Sequence, residues 1–271
     1  MTGKEPKDEL DTPRGVSQKS RVNHEALRRA VQKLHFKFLH QVNDAHIFAQ
    51  QVVTLLEEAK EKYAQSHKKA DRKYYVPSVS SGKKAVKRTD QELRRVYDRF
   101  VAREFYENLI VAAVSRCESF LFDVVREILR RYPEKINMNV KGMDLDRAIP
   151  FKLLLEVGSL EEAIEQVIAA RLVSVSYANP RVYLSFLSRL IHINTNDKAF
   201  SAYVEIKATR DLLVHGNGVV NSIYLDKCGS LARGSAGEEI RIDSDYFDHC
   251  IGALRRVSFL TNKGVEATFR R

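Results

Sequence analysis

Apolar residues recur along the first third of the chain at spacings that alternate between four and three positions. This heptad stripe is typical of one long helix, which we expect over residues 23–76. A helix of this length cannot bury such a stripe alone, so it should pack in coiled-coil fashion on another helix of the chain or on a partner subunit. The stripe contains Leu27, Val31, Leu34, Phe38, Val42, Ala45, Ala49, Val52, Leu56, Ala59 and Tyr63.

A second long helix is predicted from Thr89 to about Arg131. Thr89 and Glu92 have the spacing of a capping box, and Tyr132-Pro133 ends the pattern. Its second half is apolar on most faces, which is typical of a central helix. Glu118 lies in that half, and a buried carboxylate needs a cation or a hydrogen-bond donor as partner.

Shorter helices are predicted further along the chain. They cover about 159–174, 180–192, 198–215 and 244–260, and Gly216 is expected to supply the left-handed cap of the third. Segments 219–225 and 239–243 are interpreted as short strands or turns. The fold class is therefore all-α, a helical bundle with at most a short β-hairpin. The predicted units are a disordered lead (1–22), the long helix (23–76), a basic flexible joint (77–88) and a helical domain (89–271).

Composition narrows the class of protein. Hydrophobic residues make up 44% of the 271 positions, which excludes full disorder. Because no apolar run is long enough for a signal peptide or a membrane span, we expect an unexported protein of the cytoplasm that does not contact membranes. The 3 cysteines lack CxxC spacing, which favours free thiols over a structural zinc site. We expect neither a metal nor a cofactor.

The net charge of +10 is local. Residues 1–100 hold 22 basic and 13 acidic side chains, whereas the rest of the chain is nearly neutral. The excess is greatest in segment 68–95, which also contains two adjacent tyrosines. One hypothesis is an RNA-binding strap that contacts phosphates and stacks on bases, and the alternative is a solvated linker. The strap residues would be Lys83, Lys84, Lys87, Arg88, Tyr74 and Tyr75.

The segment from Arg210 to Gly218 holds the candidate chemistry. Asp211 and His215 are four positions apart, so the carboxylate can accept a hydrogen bond from the imidazole. Arg210 lies about 140° around the helix from His215, so convergence needs a distorted turn, a bridging phosphate or a second copy across a dimer. Histidine can move protons near neutral pH, and arginine can stabilise a five-coordinate phosphate. The alternative is a surface ion pair beside a helix-capping histidine.

This segment resembles the signature of HEPN domains, in particular the RiboL-PSP type of prokaryotic defence and toxin systems. The stretch from Cys117 to Asp123 also resembles that group, in which a glutamate on an earlier helix faces the motif. The resemblance covers about residues 90–262, and many members have asparagine where this chain has Asp211.

The resemblance implies an all-α homodimer with composite active sites and metal-independent endoribonuclease activity. Cleavage by 2′-hydroxyl attack would leave a 2′,3′-cyclic phosphate and a 5′-hydroxyl. His215 would be the general acid/base, Arg210 would stabilise the phosphorane, and Asp211 would orient His215. Glu118 and Asn217 would support them. RNA, a second copy and an antitoxin or other defence protein are the expected partners. The alternative function is a non-catalytic helical module that binds a partner protein or RNA.

Overall fold

The computed structural model describes residues 18–79, 82, 84–138, 140, 158–177 and 179–270. The expected all-α class is confirmed, since helices dominate these ranges and the named strands form one hairpin. In chain order the elements are α1 (Gln18–Glu61), β1 (Tyr74–Pro77), β2 (Ala85–Arg88), α2 (Asp90–Arg99), α3 (Phe105–Arg131), α4 (Leu160–Tyr177), α5 (Pro180–Ile191), α6 (Lys198–Gly216), α7 (Ser222–Cys228) and α8 (Ser244–Thr268).

The heptad stripe forms α1, and it packs on α3 and α8 of the same chain. Leu27, Val31, Phe38, Val42 and Ala49 are fully or almost fully buried. The helix begins at Gln18 and ends at Glu61, rather than spanning 23–76. It stops early because the apolar spacing ends at Tyr63 and a polar, basic stretch follows. The first part of the expected disordered lead, 1–17, lies outside the described residues.

The expected flexible joint, 77–88, belongs instead to a short antiparallel hairpin where it is described. Strands β1 and β2 pair in the register Tyr74↔Arg88 and Val76↔Val86. Half-buried and exposed positions alternate along both strands. Aromatic and β-branched residues in these segments favour this pleated arrangement, although the sequence between them predicted a flexible joint.

The predicted capping box at Thr89 is confirmed. The Thr89 side chain accepts a hydrogen bond from the Glu92 backbone N–H, and the Glu92 carboxylate accepts one from the Thr89 N–H. The chain then stays helical to Arg131, with a π-helical segment at Phe100–Glu104 between α2 and α3. As predicted, α3 is the central helix, and it contacts α1, α6 and α8.

The C-terminal third follows the predicted order of helices, with different ends. The left-handed residue after α6 is Asn217, at φ 50°, rather than Gly216, which is still helical. Residues 222–228 form α7, so the only strand-like contact in segment 219–225 is an isolated bridge between Val219 and Glu239. Asp243 caps α8, which continues to Thr268.

Across the described ranges, no helix combines the length and apolar character that a membrane crossing requires.

Candidate functional site

The last turns of α6 face α7 and the start of α5 across a cleft of about 660 Å³. Arg210, Asp211 and His215, the predicted catalytic residues, all line this cleft. Helix α6 remains regular as far as Gly216, so no distorted turn is needed to bring them together. The cleft is wide enough to include both sides of the helix end. Other lining residues are Lys207, Leu212, Asn221, Ile223, Tyr224 and Lys227.

Arg210 is held by residues from its own helix and from α3. Its guanidinium donates to the Asp211 carboxylate at 3.0 Å and to the Ser115 hydroxyl at 3.3 Å. The same group lies 3.7 Å from a carboxylate oxygen of Glu118. Its Nε atom is buried without a hydrogen-bond partner among the described residues. The arginine is therefore oriented, and one of its donors is unused.

Glu118 lies on α3, and its carboxylate faces Lys207 and Arg210 of α6. Lys207 donates a hydrogen bond to its carboxylate, and both side chains are mostly buried. The expectation that this carboxylate has a cationic partner is confirmed. Because Lys207 lies one turn before Arg210 on α6, Glu118 connects α3 to the cleft through both cations.

Asp211 does not orient His215 as predicted. Its carboxylate lies 3.0 Å from the Lys227 ammonium and 3.9 Å from that of Lys207, besides its contact with Arg210. Burial would raise the pKa of Asp211, but the charges of Lys207 and Lys227 outweigh burial and lower it below its usual value. Cations attract a carboxylate more strongly than a neutral imidazole does.

His215 is exposed at the mouth of the cleft. Within the part of the chain that the structure describes, it makes no hydrogen bond or ion pair. Its imidazole is therefore accessible from solvent and is available to a ligand in the cleft.

Asn217 supports the end of α6 through its backbone. Its N–H donates to the Leu212 carbonyl, and its own carbonyl accepts a hydrogen bond from Arg103 at 3.4 Å. The side chain is not among the groups that line the cleft. The support that Asn217 gives to the site is therefore through its backbone. Asparagine tolerates the left-handed conformation, which turns the chain away from α6 after His215.

The predicted RNA-binding tyrosines lie on opposite faces of the hairpin and do not form one stacking surface. Tyr75 is 71% exposed, and the Lys87 ammonium lies 5.0 Å from its ring. Tyr74 packs edge-on against Tyr63, at 5.1 Å between ring centroids. A strand alternates its side chains between faces, so adjacent tyrosines separate.

The predicted basic residues of the hairpin have different environments. Lys84 is exposed, and Arg88 is half-buried on the same face as Tyr74. Lys83 lies outside the described residues. The outer face of the hairpin therefore offers a smaller surface than predicted, centred on Tyr75 and Lys87.

Sequence reasoning missed several residues of the cleft. Lys207 precedes Asp211 by one helical turn, so its spacing was a usable signal. Ser115 and Lys227 come from α3 and α7, and only the packing of these helices brings them to Arg210 and Asp211.

Over the described ranges, no group of three His, Cys, Asp or Glu side chains is placed to hold a metal ion. The three cysteines are buried and free, as predicted. Burial raises the pKa of Cys228 to about 11 and that of Cys250 to about 12, so both thiols stay neutral at physiological pH.

The resemblance to HEPN domains thus depends on the Arg210–Gly218 segment and on Glu118, whose side chain lies near that of Arg210. No protein-family model, no curated protein sequence and no solved structure matches the chain.

Proposed function

We propose that the chain is a metal-independent endoribonuclease of HEPN type that cleaves RNA in the cleft at the end of α6. One observation carries this proposal: Arg210 and His215 line the same cleft, and Arg210 is oriented from α3 by Ser115 and Glu118. An oriented guanidinium beside an accessible imidazole has the two functions that phosphodiester transfer requires.

The charge of the cleft suits a phosphodiester. Among the described residues, the carboxylates that Lys207, Arg210 and Lys227 face are those of Glu118 and Asp211, so cations exceed carboxylates there by one. A bound phosphate would take up the unused donor of Arg210 and compete with Asp211 for Lys227. The ion pairs of the empty cleft hold these cations in place for that exchange.

The reaction follows from these positions. The 2′-oxygen of a ribose attacks the adjacent phosphorus, and the bond from phosphorus to the 5′-oxygen breaks. The products are a 2′,3′-cyclic phosphate and a 5′-hydroxyl. His215 accepts the proton that the 2′-hydroxyl loses and returns it to the leaving 5′-oxygen. Arg210 stabilises the charge on the five-coordinate phosphorus.

The assembly and context are also part of this proposal. The exposed position of His215, with exposed Val214 and Ile223 nearby, supports a homodimer in which two clefts face each other. The proposed setting is a bacterial defence or toxin–antitoxin system of the cytoplasm, in which an antitoxin or another defence protein controls cleavage.

His215→Ala and Arg210→Ala test the proposal. Each should lower the rate of RNA cleavage by at least about 100-fold. The thermal midpoint of His215→Ala should stay close to wild type because that side chain is exposed, whereas Arg210→Ala also loses partly buried contacts and should be slightly less stable. Full activity should persist in EDTA. His40→Ala, a change of an exposed histidine on α1, is the matched control. Wild-type cleavage by His215→Ala would overturn the site assignment.

A non-catalytic RNA-binding module is the second candidate, and one observation favours it. Asp211 already neutralises part of the charge of Arg210, at 3.0 Å. If purified wild-type protein binds RNA without cleaving it, and Arg210→Ala weakens that binding, this second function is the correct one.

A further inference from the structure

The N-terminal half of α1 and the C-terminal half of α8 run antiparallel, side by side. His24 of α1 contacts the backbone carbonyl of Arg270 at 3.1 Å, and His35 contacts the Ser258 hydroxyl at 2.6 Å. His46 lies 3.0 Å from Asp248, near the start of α8. These contacts place the two helices in register over most of the length of α8.

Two surface grooves follow the line between these helices. The first has a volume of about 480 Å³, and its cations are Arg28 and Arg29 of α1, Lys263 of α8 and Arg270 just beyond α8. The carboxylates of Glu25 and Glu266 line it as well, so cations exceed carboxylates by two. The second, about 310 Å³, is lined by Arg255 and Arg256 of α8. We call these six cations and the grooves between them the α1–α8 basic face. The sequence separates its two halves by more than 200 residues, so the charge count along the chain did not reveal it.

Part of this charge is not neutralised by the protein. Arg29, Lys263 and Arg256 pair with Glu25, Glu266 and Asp197, respectively. Arg28, Arg255 and Arg270 have no ion pair within 4 Å among the described residues, although the charge of Arg28 helps to lower the pKa of Glu266 in the same groove.

Arg28 is the most informative of the three. Its Nε atom is buried and lacks a hydrogen-bond partner within the described chain. A buried donor without an acceptor is costly, and an anion in the 480 Å³ groove would supply the acceptor.

Aromatic side chains lie among these cations. Phe259 lines the second groove and is 41% exposed. The Arg256 guanidinium carbon lies 5.4 Å from its ring centroid, and the Lys263 ammonium 6.0 Å. On α1, Phe36 is 50% exposed and lies one turn beyond Gln32, which lines the first groove. Exposed rings between cations are typical of surfaces on which bases stack while phosphates are held.

We infer that the α1–α8 basic face binds single-stranded nucleic acid. Arg28, Arg255 and Arg270 hold backbone phosphates, and Phe259 and Phe36 stack on bases. This goes beyond the proposed function, because it assigns binding to a surface that shares no lining residue with the cleft. It requires no cleavage, so it can hold or fail independently of the proposed reaction.

The test compares two triple variants that lose the same charge. Arg28→Gln, Arg255→Gln and Arg270→Gln are combined in one protein. Lys37→Gln, Lys62→Gln and Lys198→Gln, exposed residues that line neither groove, are combined in the control. Fluorescence anisotropy with a single-stranded RNA of about 20 nucleotides is measured at several salt concentrations, in an Arg210→Ala background that keeps the RNA intact.

The basic-face variant should raise the Kd at least about 10-fold. It should also reduce the slope of log Kd against log salt by about 2, because three phosphate contacts are lost. The control should stay within about 2-fold of its parent. Equal losses in the two triple variants would overturn the inference, because they would show that only net charge matters.

A second arm tests the aromatic contact and the class of partner. Phe259→Ala should weaken binding of the single strand by about 10-fold and leave binding of a duplex of equal length nearly unchanged, because paired bases cannot stack on the ring. Vesicles of phosphatidylcholine and phosphatidylserine are the competing ligand. If the basic-face variant loses vesicle binding while RNA binding is unaltered, the surface is a membrane contact and the inference is wrong.

Discussion

Helix α6 carries two carboxylate clusters with opposite surroundings. Glu205 is 5% exposed and accepts hydrogen bonds from the hydroxyls of Thr209 at 2.7 Å, Tyr246 at 2.8 Å and Tyr224 at 3.2 Å. Asp211, less than two turns later, has a side chain that is 21% exposed and is surrounded by Lys207, Arg210 and Lys227. One carboxylate is satisfied by neutral donors and the other by cations.

The different partners of the two carboxylates give the two clusters different roles. Burial raises the pKa of Tyr224 to about 12, and it raises that of Tyr246 as well, so both phenols keep their protons and remain donors. The Glu205 cluster is therefore fixed, and it fastens α7 and α8 to α6. In the proposed function, the cations around Asp211 exchange it for a phosphate. Tyr224 belongs to both regions, because it also lines the cleft.

Removing the buried carboxylate should have the largest effect on stability. Glu205→Ala leaves three hydroxyl groups without their acceptor and opens a cavity, so we expect the free energy of unfolding to fall by about 3 kcal/mol. Urea denaturation at pH 7 measures it. Asp226→Ala, a change of an exposed carboxylate on α7, should cost less than about 0.5 kcal/mol. Equal losses would mean that the Glu205 hydrogen bonds contribute little.

The two tyrosine donors to Glu205 should contribute different amounts to the free energy of unfolding. Tyr246→Phe removes the shorter tyrosine hydrogen bond to the buried Glu205 side chain and should cost about 1.5 to 2 kcal/mol. Tyr224→Phe removes the longer one, together with the hydrogen bond that the same hydroxyl accepts from the Arg233 N–H at 3.2 Å, and should cost about 1 kcal/mol. Urea denaturation of both variants measures the difference, and the reverse order would contradict the geometry of this cluster.

The open cluster should contribute least to stability, and in a pH-dependent way. The pKa of Asp211 is lower in the fold than in the unfolded chain, so its ion pairs stabilise the protein above about pH 4 and lose that effect as the pH falls through the folded pKa. Asp211→Asn should therefore cost less than about 1 kcal/mol at pH 7 and a smaller amount at pH 3. A loss that is the same at both values, or that exceeds that of Glu205→Ala, would remove the distinction between the clusters.

Local patterns predicted the parts of the fold that depend on local interactions. The heptad stripe located α1, and Thr89 with Glu92 located the start of α2, because the spacing alone decides which side chains meet. The hairpin was missed because the pairing of Val76 with Val86 depends on two separate segments. The end of α1 was missed because an apolar stripe says little about where a polar helix stops.

The candidate site was predictable to a similar extent. Arg210, Asp211 and His215 were found from one segment, and the structure places them in one cleft. The expected contact between Asp211 and His215 does not form, since Lys227 arrives from α7 and competes for the carboxylate. Spacing shows which side chains are within reach, whereas tertiary packing decides which of them pair.

The length of α1 sets a scale for any ligand larger than one nucleotide. Arg29, at the basic face, and Glu61, beside the hairpin, are separated by about 48 Å of continuous helix at 1.5 Å per residue. At about 3.4 Å per step, a stacked strand needs about 14 nucleotides to reach from one end of this rod to the other. The length of the helix would therefore set a minimum length for simultaneous contact with both ends. Shorter oligonucleotides could occupy one end only, and longer ones could reach both.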